Sequence, residues 1–375
     1  MAKIQKNIAS SIRYSDDIKH PAGEFSEDKT NSVEMRLSLE ALKVTEEVTP
    51  SIYAALRTVC ERLGVTNQKV TAYIHASSTA QAQCISYSSE SCIIILSSEL
   101  VSLLSQDELE FVIGHELGHF LLRHTLELRG SESKESYLHL RAKEISVDRL
   151  GLWACKDLDA AMKAIIKTLS GLDNKLLRFD LNAFLNQIEL KEINEHYQES
   201  YSTHPSLVLR AKSLLRFSLS QDYQMWVNGL NGSSLKEIDE LIRADLNLYT
   251  DSHFREEIKA VKTSIKFWTM VYSMIKKGSL TKSDQELISD KFGQKKKGKL
   301  RNLLKELSPD EAIAFTKGKI LESKQEFIGM APHMADRELN LIIKNVEKET
   351  NNHDLLREIQ QFSEVSRRAK ASPSL

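Results

Sequence analysis

Apolar positions recur at helical spacing through most of the chain and at strand spacing in one window only. Residues 1–35 are polar, carry His20-Pro21-Ala22-Gly23 and keep no period, so they read as a partly disordered leader without chemistry of its own. From Met35 to Leu63 the apolar residues Leu37, Leu42, Ile52, Leu56 and Val59 predict one or two helices, interrupted near Pro50 and stopped by Gly64. Val70, Ala72 and Ile74 then alternate with polar partners, and Ser91 to Leu96 is a β-branched run, so both predict strands. Between them, Ala82–Tyr87 can pair with Cys92–Leu96 through the turn Ser88-Ser89-Glu90, giving a small antiparallel sheet.

No further strand pattern follows. Ser105 with Glu108 matches a capping box, and Leu109, Val112, Ile113, Leu117, Phe120 and Leu121 continue at helical spacing, predicting a helix over about 106–126. Other helices are expected at about 134–155, 158–170, 176–197 and 206–218. After the turn-rich stretch Gly229–Ser234, amphipathic segments near 235–248, 253–276, 282–292, 299–306, 309–322, 334–349 and 352–369 predict a helical array with no sharp repeat period. The expected fold is therefore mainly α with a small antiparallel β-sheet, an α+β chain of three parts. These are the leader 1–35, a mixed domain over 36–220 and an all-helical domain over 235–375.

Composition narrows the function class. The formal charge of -1 leaves no global field to recruit nucleic acid or an anionic membrane. The run Lys295-Lys296-Lys297-Gly298-Lys299 lacks interleaved aromatics and reads as a solvated turn. No apolar stretch approaches the roughly 20 residues needed to cross a bilayer, and the first twenty residues show no secretory h-region. Cys60, Cys84, Cys92 and Cys155 are too scattered for a disulfide framework and suit a reducing compartment. A cytoplasmic protein without integral membrane association is expected.

The string His115-Glu116-Leu117-Gly118-His119 puts two imidazoles one turn apart on one helical face, with a carboxylate beside them. That spacing suits one zinc ion, whose N–Zn distances of about 2.0–2.1 Å a rigid helix can meet without further ordering. A metzincin would need Gly at position 122 and His at 125, where Leu122 and Thr125 stand, so the third ligand comes from elsewhere. Glu144 and Asp148 lie at i and i+4 on the next predicted helix; one carboxylate can bind zinc while the other orients a ligand. With Glu144 as ligand, the His, His, Glu set keeps a fourth position open, as a catalytic zinc requires. Gly114, Gly118 and Gly151 inside these helices suggest close helix approach. His124 falls about 140° from His119 on a continuous helix and reads as packing or surface.

Three separated segments, FVIGHELGHFLLRH (111–124), EISVDRLG (144–151) and Thr203-His204-Pro205 with Arg210, resemble the HtpX-type and CAAX prenyl protease metallopeptidases, the M48 gluzincins. The resemblance spans about residues 50–216. It implies a zincin-like fold with one zinc per chain on His115, His119 and Glu144, and places His204 near the open position to stabilise an oxyanion. It also implies that Arg210 pairs with an acid such as Asp148. Members of that family commonly carry transmembrane helices, which this chain lacks. The function expected is zinc-dependent endoproteolysis of a protein or peptide substrate with Glu116 as general base. The alternative is a catalytically silent zinc scaffold that acts as a helical interaction module.

Overall fold

A computed structural model of the chain describes residues 8–17, 27–65, 70–88, 90–124, 134–186, 204–247, 252–278 and 280–361. Its contacts divide the chain into two units, Met1–Ser131 with Tyr137–Asp251 and Glu132–Ser136 with Ser252–Leu375. No described helix is long and apolar enough to cross a membrane.

The first unit opens with α1 (Ile8–Ser11), α2 (Glu27–Glu40), β1 (Leu42–Lys43) and α3 (Pro50–Arg62). The strands β2 (Val70–His75), β3 (Ala82–Ser88) and β4 (Ser91–Ser97) follow, then α4 (Ser98–Leu103), α5 (Gln106–Leu121), α6 (Lys134–Cys155) and α7 (Leu158–Ser170). It closes with α8 (Leu181–Leu185), α9 (Leu207–Ser218), α10 (Gln221–Asn228) and α11 (Leu235–Leu246). The mainly α fold with a small sheet is as expected, but the sheet is mixed. Its order is β1-β2-β4-β3, with β2 parallel to β4 and the other pairs antiparallel.

Both sheet faces are covered, which explains the unbroken β-branched run. Val70, Ala72, Cys84, Cys92, Ile94 and Leu96 join the main core, whereas Tyr73 and Ile93 pack on Leu37 of α2. Burial also settles the cysteines: all four thiols are free and buried. Burial pushes those of Cys60 and Cys155 up to about 12, so they are inert rather than redox-poised.

Two elements differ from the sequence reading. The leader segment 8–17 packs into the unit, with Ile12 and Tyr14 almost completely buried. Helix α11, which the amphipathic pattern groups with the C-terminal array, closes Ile238, Ile242 and Leu246 over Tyr14, Ile145 and Leu209. An amphipathic pattern reports that a face is buried and carries no information about its partner. The buried guanidinium of Arg149 ties these parts together. It donates to Ile12 O at 3.1 Å and to Asp239 Oδ1 at 2.5 Å, and it lies over the rings of Tyr14 and Phe217.

The second unit contains α12 (Ser252–Ile275), α13 (Lys282–Phe292), α14 (Gln294–Lys305), α15 (Pro309–Met330) and α16 (Pro332–Thr350). Met270, Val271 and Met274 of α12 form its core with Ile320, Ile343 and Val346. The lysine run expected to be a turn is the start of α14. The expected helical stretches 187–197 and 362–369 lie outside the described residues.

Helices α5 and α6 approach at their glycines. A Cβ added at Gly114 would lie 2.7 Å from Ala154 Cβ, and one at Gly151 would lie 2.8 Å from the Phe111 carbonyl oxygen. Gly318, within α15, would place its Cβ in open space. We therefore expect Gly151→Ala to destabilise the protein by about 1–3 kcal/mol, and Gly318→Ala to stabilise it by about 0.5–1 kcal/mol. Urea unfolding of the two variants checks this contrast; equal effects would remove steric contact as the reason for Gly151.

Candidate active site

Helix α5 starts where the Ser105 N–H donates to the Glu108 carboxylate at 2.8 Å, and that carboxylate also takes a buried ion pair from Lys167 at 2.7 Å. This anchors the end of α5 remote from the histidines. The other end stops at Leu121, because Arg123 takes the left-handed conformation at φ 64°.

His115 and His119 occupy one face of α5, and Glu144 of α6 stands opposite them. Glu144 Oε2 is 3.5 Å from His115 Nε2, and Oε1 is 3.6 Å from His119 Nε2. Among the described residues, this trio forms a group that could hold a metal ion, its ligand atoms all within 4.8 Å of one another. Three tetrahedral ligands at zinc distances would be separated by about 3.3–3.5 Å, so the two measured spacings need only small adjustments. A further observation fits a cation. Glu144 Oε2 is buried without a hydrogen-bond partner, an arrangement that is costly unless a positive charge occupies the gap. The donor set of two imidazoles and a carboxylate is that of zinc rather than of calcium or magnesium.

Each histidine is held from behind through Nδ1, which turns Nε2 towards Glu144. Asp148 Oδ1 accepts from His115 Nδ1 at 2.9 Å. Arg210 of α9 grips the same carboxylate with two donors, Nε at 2.8 Å and a terminal nitrogen at 2.5 Å. Burial alone would raise the Asp148 carboxyl, but the Arg210 guanidinium and the hydrogen bonds from Arg210 and His115 outweigh it and hold the group well below the usual carboxylate range.

The support of His119 is a relay that the sequence reading missed. His119 Nδ1 lies 3.2 Å from His124 Nδ1, and His124 Nε2 lies 3.1 Å from Asp17 Oδ2. Burial favours a neutral Asp17, yet its hydrogen bonds from His124 and from Arg13 at 2.8 Å hold the carboxyl far below its ordinary value. An ionised Asp17 only accepts, so a singly protonated His124 donates through Nε2 and accepts through Nδ1. His119 must then carry its proton on Nδ1, leaving the Nε2 lone pair free. The reading of His124 as packing or surface assumed a helix running to about 126. The left-handed turn at Arg123 instead brings His124 back onto His119. Nothing in the spacing of Asp17 and His124, 107 positions apart, could have linked them.

Glu116 is half-buried, and desolvation raises its carboxyl above the ordinary value; the neighbouring His115 and the backbone N–H of Cys84 oppose that rise. Cys84 belongs to β3, the edge strand beside the site, whereas β4 lies between β2 and β3. The sequence could not rank the two, because both runs are apolar enough to be interior. His204, 61% exposed in its side chain, places Nε2 3.5 Å from Glu144 Oε2. Thr203 lies outside the described residues.

The comparisons with known proteins agree with this geometry. Residues 46–140 match the model of peptidase family M48. Over these residues the chain is similar to that family. The matched segment includes His115, Glu116 and His119 and ends four residues before Glu144. Over 191 residues the chain is 24% identical to the plastoglobule-localized metallopeptidase 48, chloroplastic, of Arabidopsis thaliana. That alignment covers 43% of this chain and 56% of the relative, so the chain spans little more than half of the curated protein it resembles. No solved structure matches it.

The Asp148–Arg210 pair carries a stability expectation. Arg210→Met leaves a buried carboxylate facing His115 alone and should cost about 3–5 kcal/mol. Adding Asp148→Asn should recover part of that loss in a double-mutant cycle. Unfolding in urea measures both, and additive losses would show the pair to be uncoupled.

Proposed function

We propose that this chain is a zinc-dependent endopeptidase of the M48 family, with His115, His119 and Glu144 as ligands and Glu116 as general base. The observation that carries the reading is the convergence of two Nε2 atoms and the orphaned Glu144 Oε2, with the half-buried Glu116 next to His115 on the same helix. A structural zinc site closes its fourth position, whereas a base beside an open one is of use only in hydrolysis.

Zinc, when bound, supplies Lewis acidity and lowers the pKa of water from 15.7 towards about 7. The Glu116 carboxylate takes the proton as water attacks the peptide carbonyl and later returns it to the leaving amine. Burial makes this carboxylate a stronger base than an exposed one. His204, exposed at the rim beside Glu144, donates to the developing oxyanion. Edge strand β3 could align an extended peptide along its main chain, and Cys84, on that strand, already faces Glu116. The relative's chloroplast location belongs to that protein; for this chain the four buried free thiols suit a reducing cytoplasm.

Wild type and Glu116→Gln should each bind one zinc, while cleavage of casein or a peptide library falls by about 10²–10⁴ in the variant. Zinc analysis and cleavage assays read the two independently. Zinc without cleavage in wild type would favour the scaffold reading, and absence of zinc would sink the assignment.

The relay behind His119 yields a second expectation, with a readout other than activity. Asp17→Asn removes the acceptor that sets the His124 tautomer and should weaken zinc affinity by about 10–100-fold. Competition against a chromogenic chelator measures it, and unchanged affinity would make the Asp17–His124 contact a matter of packing only.

A further inference from the structure

We propose that the second unit binds a single-chain anionic amphiphile, an acyl chain ending in a carboxylate or phosphate. Between the end of α12 and helices α13, α14 and α15 lies a cavity of about 470 Å³, within the usual range for small-molecule sites of roughly 300–1,000 Å³. Its walls are mainly aliphatic, with Ile288, Leu300 and Leu304 among them. Lys297, Arg301 and Lys305 line the same cavity.

These cations stand at i, i+4 and i+8 of α14, a row about 12 Å long on one helical face. Like charges at that spacing repel, and the first turn of α14 contains no acid to offset them. Among the described residues, none of the three forms an ion pair. The row is therefore an uncompensated positive rim on an apolar chamber, and the matching ligand joins a hydrocarbon chain to one anionic head. The chain's own C-terminal stretch does not match it, because Arg367, Arg368 and Lys370 repeat the sign of the rim.

The test uses the full-length protein and isothermal titration with dodecanoate and dodecyl phosphate, each below its micellisation threshold. The expected result is saturable binding at one site per chain, with dodecyltrimethylammonium at least about tenfold weaker. The triple variant Lys297→Glu, Arg301→Glu, Lys305→Glu should weaken dodecanoate by at least about tenfold, and Leu304→Trp should block it by filling the chamber. The three charge positions lie at the surface of α14, so circular dichroism should show the helices intact. No saturation, equal affinity for the cationic amphiphile, or indifference to charge reversal would overturn the proposal. Preference for anionic vesicles or for an acidic amphipathic peptide over the monomer would also overturn it, by assigning the rim to a membrane or a protein. Since the readout is binding in the second unit, it is independent of metal loading and hydrolysis.

Discussion

The close approach of α5 and α6 is the constraint on which the first unit depends. At Gly114 and Gly151 a methyl group would collide with the facing backbone or its nearest side chain, so the two helices meet where neither carries a Cβ. That proximity brings Glu144 to within 3.6 Å of the Nε2 atoms of His115 and His119, and Asp148 to within 2.9 Å of His115 Nδ1. One i, i+4 carboxylate pair thus serves both the front and the back of the same imidazole. Larger residues at the crossing would move both contacts together, which couples core packing directly to the chemistry of the site.

The cost of burying so many charges is met by pairing each with a specific partner. Asp148 is held by Arg210, Asp17 by Arg13 and His124, Arg149 by Asp239, and Glu108 by Lys167. Such pairs contribute little net stability compared with an apolar core, but each is expensive to break singly and therefore defines one arrangement of the elements. Glu144 keeps one buried oxygen without a hydrogen-bond partner on the side that faces His115 and His119.

The two candidate ligand histidines are supported in different ways. His115 is backed directly by a carboxylate that is itself clamped by arginine, a local arrangement of three helices. His119 is backed by His124, whose position depends on a left-handed residue after the helix and on Asp17 from the start of the chain. Segment 8–17 is fixed in turn by Tyr14 N–H donating to Ser146 Oγ and by Arg243 pairing with Asp16. The order of the N-terminal segment and the geometry around His119 are consequently linked.

By itself the sequence determined whatever depends on neighbours within one turn of a helix or one strand. The pairing of His115 with His119, the capping at Ser105, the Glu144–Asp148 spacing and most helix positions are of this kind, because each follows from a period of 3.6 or 2. Tertiary structure alone decided which elements meet. It set β4 inside the sheet and β3 at the edge, docked α11 on the first unit, turned the lysine run into one wall of a cavity, and joined Asp17 to His124. Those outcomes depend on burial against distant segments, and the same amphipathic or apolar run satisfies burial equally well against several partners. Only the full set of packed surfaces, with glycines permitting contact at one crossing and buried charges demanding particular partners, selects among them.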